Sequence, residues 1–253
     1  MLIVLAAAFG LCLGSFVNVV AWRVPRGESV NRPPSHCPRC DHELSWWENV
    51  PVASWLALAG RCHSCDGRIP VRYPLVELAG AALCALAGLH GLAALPALAV
   101  GFTTLLALSL IDLDCRRVPN RVLAVGLALS VALFVAGAAA TGDWAALGRA
   151  VAGGLVGAGL LGAVHLASPG GMGMGDVKLA ALCVLLLGWG GLRLVFAGLF
   201  AAFLLGAVVG VGLLVAGRAG RRTAVPFAPF LAAGTVAVVT FGPALTGLYP
   251  ALG

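Results

Sequence analysis

The sequence predicts an all-α polytopic membrane protein with about eight transmembrane helices and a small cytoplasmic module between the first two helices. Hydrophobic residues make up 60% of the chain and charged residues only 10%, and the mean hydropathy is +1.00. Soluble domains do not have this composition. Apolar tracts near the ~20 residues that cross a bilayer recur along the chain, and one polar segment carries paired cysteines.

The first apolar tract covers residues 2–22, and we expect it to be retained as a helix rather than removed as a signal peptide. Gly14, Ser15 and Asn18 within it indicate packing against another helix. Further tracts lie at roughly 74–91, 94–113, 121–141, 147–167, 177–190, 193–216 and 225–248. Because the tract 177–190 is short, a count of seven spans is the alternative to eight.

This pattern divides the chain into a first transmembrane helix at 1–22, a module at 23–73 and a transmembrane domain at 74–253. Placing the module in the cytoplasm puts every basic residue on that side except Arg149 and Arg193. The net charge of +6 therefore reflects membrane topology and does not indicate nucleic-acid binding. Both termini are then predicted to lie outside the cytoplasm.

Two CxxC pairs in the polar segment predict a structural zinc site. Four thiolates, from Cys37, Cys40, Cys62 and Cys65, satisfy tetrahedral zinc, and each pair can bind from a tight turn. Disulfides are the alternative, although a cytoplasmic location keeps thiols reduced. Other residues of the segment have possible secondary roles: three histidines as alternative ligands and two tryptophans as anchors at the bilayer surface, namely His36, His42, His63, Trp46 and Trp47.

Two stretches place acids at the ends of apolar tracts, and we expect them to form one active site. Asp112 lies where a tract meets basic residues, and Asp176 follows a run of glycines. Under the predicted topology both acids lie at the cytoplasmic face of the bilayer. Carboxyl groups that approach closely share a proton, as in aspartic peptidases, so peptide hydrolysis follows. Gly173 and Gly175 would let an extended substrate approach, with 168–175 as a flexible access route.

The alternative is that these acids are solvated or cap helices. Asp114 has a supporting or solvated role in this interpretation, and Asp143 is a helix-start residue on the opposite face. His165 is expected to be a buried, hydrogen-bonded histidine rather than a catalytic one. The sequence contains neither an HExxH motif nor a Ser-His-Asp arrangement, which argues against serine or zinc peptidase chemistry.

Several motifs in order resemble those of the type IV prepilin leader peptidases, which also N-methylate the mature pilin. The resemblance covers nearly the whole chain. It rests on the tetracysteine module together with Gly14-Ser-Phe-Val-Asn-Val-Val-Ala-Trp-Arg23 and Pro25, Glu48-Asn-Val-Pro51, Gly60-Arg-Cys62, Arg72-Tyr-Pro-Leu-Val-Glu77, Ile111-Asp-Leu-Asp114 with Val118-Pro-Asn120, and Gly173-Met-Gly-Asp176.

The resemblance implies cleavage of a short basic leader from prepilins or type II secretion pseudopilins, on the cytoplasmic side of the bacterial inner membrane. It places the catalytic pair on Asp112 and Asp176, a choice of Asp112 over Asp114 that the residues alone do not make. It also implies S-adenosylmethionine as a methyl donor, although the module contains no glycine-rich cofactor loop. One departure from the family pattern is Ala59, where a basic residue is expected. Three residues match family positions but could equally have structural roles, namely Glu48, Arg72 and Glu77.

Two other classes of function are alternatives. A carboxylate-coupled transporter would use intramembrane acids and broken helices, but it leaves the cysteine module unexplained. A zinc-ribbon membrane scaffold without catalysis would use the glycine stretch only to pack helices.

Overall fold

A computed structural model describes residues 1–167, 173–218 and 225–247, and these are mainly helical apart from the loops of the cysteine module. The described residues contain no β-strand, only two isolated bridges, His36 with Glu43 and Arg61 with Arg68. The helices are α1 (Leu2–Arg23), α2 (Ala53–Ala57), α3 (Arg72–Gly88), α4 (Gly91–Cys115), α5 (Asn120–Thr141), α6 (Trp144–Ala167), α7 (Met174–Gly190), α8 (Leu192–Val215) and α9 (Ala228–Gly247).

Five of these helices, α1, α4, α5, α6 and α8, are long and apolar enough to cross a bilayer. The prediction of a helical polytopic membrane protein is therefore confirmed. Helices α3 and α7 have 17 residues each, short of the ~20 of a standard span. The predicted count of eight spans is not confirmed, and it stays a prediction alongside seven.

Local sequence explains where the helices of the second half begin and end. Helix α4 ends because Arg116 adopts a left-handed conformation, with φ 53°, and α5 begins directly after Pro119. Gly142, with φ 76°, ends α5. The Asp143 carboxylate then accepts a 2.9 Å hydrogen bond from the Ala146 N–H at the start of α6. Asp143 is thus confirmed as a helix-start residue.

The chain forms two compact units, of which the first is Met1–Leu89. Its centre is the packing of α1 on α3. A Cβ atom on Gly80 would lie 2.8 Å from the Gly14 Cα, so only glycine allows this approach of the two backbones. Asn18 donates a 3.1 Å hydrogen bond to the Tyr73 carbonyl. This confirms that the small and polar residues of α1 face another helix.

The second unit, His90–Gly253, is built around α7. This helix contacts α4, α5, α6, α8 and α9, and nearly all its residues from Leu179 to Gly188 are buried. A helix that is apolar on every side belongs at the centre of a bundle. Its N-terminus, which carries Asp176, is thereby held among the other helices of this unit.

Candidate active site and metal centre

Asp112 lies in the last turn of α4, where two backbone groups fix it. Its own carbonyl accepts the N–H of Arg116 at 2.8 Å, which closes the helix. Its side-chain Oδ2 accepts the N–H of Ala228 at 3.1 Å, the first residue of α9. The side chain is buried, with only 6% of its surface exposed. The N-terminus of α9 stabilises an anion beside it, because its N–H groups lack partners within the helix and the positive end of its dipole lies there.

Asp176 lies in the first turn of α7, three residues after Gly173, which precedes the helix. The Gly173 N–H hydrogen-bonds the Asp176 carboxylate. This contact is one half of a capping box, in which an acid at the third helical position reaches back to the preceding backbone. Asp176 is therefore also held by the N-terminus of a helix, in this case its own.

The two carboxyl groups lie close enough for the charge of Asp112 to act directly on Asp176. The chain thus brings together two predicted site residues from helices α4 and α7 of the same unit. Asp114, in contrast, is exposed. The structure separates these neighbouring acids by burial, a distinction that the sequence pattern did not provide.

The glycine motif positions the start of α7 against the loop between α4 and α5. A Cβ atom on Gly175 would lie 3.1 Å from the Val118 side chain, so glycine permits this contact. Lys178 donates a 3.3 Å hydrogen bond to the Asn120 side chain in the same region. Gly173 supplies the N–H that holds Asp176. The rest of the predicted access route, 168–172, lies outside the described residues.

The functional residue that the sequence analysis missed is Ala228. It is fully buried and acts through its backbone N–H, so its side chain gives no chemical signal. The nearby prolines, Pro226 and Pro229, are the only local sign that a helix starts there. His165, expected to be buried, is half-buried in the last turn of α6 and has an interaction in the structure.

The four predicted zinc ligands converge. Their Sγ atoms all lie within 4.8 Å of one another, and the sulfurs of Cys37 and Cys65, and of Cys40 and Cys62, are 3.9 Å apart. Four sulfurs at ~2.3 Å around tetrahedral zinc would be about 3.8 Å apart, so the residues fit this ion. All four cysteines are free thiols, which does not support the disulfide alternative.

Each CxxC pair forms the same turn. Cys37 N–H bonds to the His42 carbonyl at 2.9 Å, and Cys62 N–H bonds to the Gly67 carbonyl at 2.9 Å. The residue after each second cysteine is an aspartate in the left-handed region, Asp41 with φ 56° and Asp66 with φ 55°. Aspartate tolerates this conformation better than most residues do. The repeated Cys-x-x-Cys-Asp sequence was a signal for two equivalent metal-binding turns.

Burial raises the pKa of the Cys37 thiol, but hydrogen bonds from the backbone of Arg39 and Cys40 lower it more, so that the pKa is about 7. A thiol with this pKa readily supplies the thiolate that zinc binds. The turn therefore favours the ligand form of Cys37. In Cys40 a hydrogen bond from the backbone of His42 lowers the pKa, but burial and the hydrogen bonds with the neighbouring thiols outweigh it and raise the pKa to about 12.

The nearby histidines contact other groups. His42 lies 3.2 Å from the Glu48 carboxylate, and His36 contacts the Pro34 carbonyl at 3.0 Å. The Glu48 carboxylate also accepts the Ser45 N–H at 2.8 Å. That bond, together with His42, outweighs burial and holds the pKa of Glu48 below its usual range. Glu48 thus has a structural role, in a capping box that closes the turn following the first CxxC pair.

Fold and site together define a helical membrane protein with a carboxyl pair, one member buried and the other half-buried, and a separate four-cysteine centre. The carboxyl pair is the arrangement that aspartic hydrolases use. Two family models match the chain: the bacterial peptidase A24 N-terminal domain over residues 8–90 and the type IV leader peptidase family over residues 99–211. The chain belongs to the type IV leader peptidase family, as its motifs predicted.

Curated relatives agree with this assignment. A protein of Pseudomonas putida is 39% identical over 94% of this chain and 90% of its own length. A protein of Bacillus subtilis is 33% identical over 95% of each chain, and one of Stutzerimonas stutzeri is 35% identical over 96% of this chain and 92% of its own. All three are named prepilin leader peptidase/N-methyltransferase. No solved structure matches the chain.

Proposed function

We propose that this chain cleaves the basic leader of prepilins or type II secretion pseudopilins at the cytoplasmic face of the inner membrane, and then methylates the new N-terminus with S-adenosylmethionine. The observation that carries the peptidase half is the pairing of Asp112 with Asp176, each held by a backbone N–H at the start of a helix. The names of the relatives support both halves.

In this mechanism Asp112 is the ionised member of the pair. Burial opposes the charge on Asp112, whereas the Ala228 N–H and the nearby charge of Arg116 favour its carboxylate form. Asp176 holds the shared proton because burial and the charge of Asp112 both oppose a negative charge there. Asp112 takes a proton from water as the water attacks, and Asp176 donates its proton to the scissile carbonyl oxygen. As the C–N bond of the tetrahedral intermediate breaks, Asp112 gives its proton to the leaving amine of the mature pilin, and Asp176 regains a proton from a hydroxyl of the intermediate.

The glycines at the start of α7 give an extended substrate room beside Asp176. Gly175 already lies against Val118, so a side chain there would compete with the loop that borders the site. A Cβ atom on Gly173 would lie 3.4 Å from Oδ2 of Asp176, so glycine leaves the space beside this carboxylate open. We assign both residues to substrate approach as well as to the geometry of Asp176.

The cysteine centre has a structural role in this proposal. Zinc bound to Cys37, Cys40, Cys62 and Cys65 would supply stability to the cytoplasmic module, because four sulfurs leave no coordination position open for a substrate. The family assignment and the five membrane-spanning candidates support a multi-pass location with this module in the cytoplasm. The transporter and scaffold alternatives lack comparable support.

The test is cleavage of a prepilin by purified protein carrying Asp112→Asn or Asp176→Asn. Each variant should lose leader cleavage, because an amide can neither accept the proton from water nor share it. Asp114→Asn is the matched control, since Asp114 is exposed two residues from Asp112, and it should retain cleavage. Cleavage by either of the first two variants would exclude the proposed carboxyl pair.

The methyltransferase half is tested separately, with a pilin from which the leader has already been removed. Both asparagine variants should still methylate this substrate if they are folded. Wild-type protein that cleaves prepilin but transfers no methyl group would overturn the second half of the proposal and leave the first intact.

A further inference from the structure

We infer that a cavity of about 490 Å³ between α1 and the segment that follows it is the binding site of the methyl donor. This inference rests on the proposed methyltransferase activity and locates it within the first unit, Met1–Leu89. The cavity volume falls within the ~300–1,000 Å³ typical of small-molecule sites. Its ligand is an adenosyl sulfonium compound.

One wall of the cavity is a single face of α1. The residues that form it are Cys12, Ser15, Phe16, Val19 and Arg23, whose spacing of three or four residues places them on one side of a helix. The wall is apolar at its centre and carries the Ser15 hydroxyl beside it. Phe16 keeps 50% of its surface exposed, so an acceptor can reach this wall.

The opposite wall is fixed in place by the side chain of Arg23. Its guanidinium donates hydrogen bonds to the carbonyls of Ser29, Pro33 and Pro34 at 3.1, 2.7 and 3.1 Å. Arg23 is buried, with 7% of its surface exposed. Three bonds from one planar group hold this segment over α1, and the cavity is therefore formed before a ligand binds.

The chemistry of the lining selects the class of ligand. Pro33, Pro34 and Pro51 present rigid apolar surfaces suited to a flat purine, while Asn31 and Asn49 can donate and accept hydrogen bonds to ribose and amino-acid groups. Arg23 is the only charged side chain among the lining residues, and three carbonyls occupy its guanidinium. A phosphate-bearing cofactor needs free cationic donors, whereas an adenosyl sulfonium compound does not.

The reaction at this site is a simple displacement. The uncharged amine of the processed pilin, after losing a proton to water, attacks the methyl carbon with its nitrogen lone pair. The carbon–sulfur bond breaks and its electrons stay on sulfur, which becomes a neutral thioether. The new methylammonium carries the positive charge that sulfur loses, so the step needs no oxidant, reductant or metal.

The experiment compares two tryptophan substitutions on α1 in the full-length purified protein. Val19→Trp places an indole inside the cavity, because Val19 is one of its lining residues. Val4→Trp places the same side chain on the same helix outside it, where Val4 is 70% exposed. Binding of S-adenosylhomocysteine, which cannot transfer a methyl group, is measured by calorimetry. We expect binding at least about tenfold weaker in Val19→Trp and unchanged in Val4→Trp.

Leader cleavage and zinc content should be unchanged in both variants. If Val19→Trp is misfolded, a second measurement on the wild type decides. Ultraviolet light crosslinks radiolabelled S-adenosylmethionine to the protein, and the labelled peptide should come from residues 12–23, 29–35 or 49–51. Label elsewhere, or normal binding by a folded Val19→Trp, overturns the cavity assignment but leaves the methyltransferase proposal standing. Wild-type protein that neither binds the donor nor methylates a processed pilin overturns both.

Discussion

Replacing Ala228 by proline tests whether a single backbone N–H supports catalysis. The substitution removes the donor of the 3.1 Å hydrogen bond to Asp112 Oδ2. Because Ala228 is the first residue of α9, proline is compatible with helix formation at this position. The change thus removes one interaction of the carboxyl pair while retaining the helix.

The expected loss follows from the charge on the acceptor. A hydrogen bond to a charged group contributes about 1.5–3 kcal/mol, and each ~1.4 kcal/mol of barrier changes a rate tenfold. We therefore expect the kcat of leader cleavage to fall about 10- to 150-fold. KM for the prepilin should stay the same, because the donor contacts Asp112 and not the substrate.

Two substitutions at the same position serve as controls. Ala228 is fully buried, so a larger side chain could disturb the packing by its size alone. Ala228→Val adds the same number of carbon atoms as Ala228→Pro but keeps the N–H. Ala228→Gly also keeps the N–H and removes the methyl group. Both should cleave much faster than Ala228→Pro, and all three should methylate a processed pilin equally. If the valine variant is as slow as the proline variant, crowding rather than the lost hydrogen bond explains the effect, and the reasoning fails.

Three further predictions address the glycine motif, the metal and a helix cap. Gly175→Ala should slow cleavage about tenfold, because its Cβ would lie 3.1 Å from the Val118 side chain. Gly173→Ala should slow cleavage less, because the nearest atom to its Cβ would be 3.4 Å away. Equal rates for the two variants would count against the packing argument. Cys37→Ser should lose bound zinc by atomic absorption while the buried, apolar control Cys84→Ser retains it. Asp143→Ala should cost ~1 kcal/mol and lower the thermal midpoint by about 2–4 °C without changing cleavage; an unchanged midpoint would contradict its capping role.

The long helices could be predicted from sequence because membrane-length apolar tracts are a local property. The predicted tract 121–141 corresponds to α5 (Asn120–Thr141) and 147–167 to α6 (Trp144–Ala167). The number of spans could not be settled in this way. Helix α7 has only 17 residues and is buried by its neighbours rather than exposed to lipid, and hydropathy alone does not distinguish these environments.

The candidate site was predictable where side-chain chemistry marked it. Asp176 and the paired cysteines carry groups with few roles in an apolar chain, and both were identified from residue type and spacing. The choice of Asp112 over Asp114 came from the family resemblance, and in the structure these acids differ in burial. Ala228 could not be found, because its contribution is a backbone donor 116 residues away from its acceptor. Such contacts depend on how helices meet and leave no local pattern.

The way the two carboxyl groups are held explains how they can be both stable and reactive. Arg116 acts on Asp112 through its nearby charge, but the hydrogen bond that the Asp112 carboxylate accepts from Ala228 comes from a backbone N–H. A direct ion pair with lysine or arginine would fix a carboxylate in its charged form. Backbone N–H groups at the starts of α7 and α9 instead stabilise negative charge without a mobile proton of their own. The proton that Asp112 and Asp176 exchange with water and substrate therefore stays within the pair. On this argument the essential parts of the site are the helix N-termini as much as the acids, and substitutions that shift the start of α9 should impair cleavage even though no acidic residue is changed.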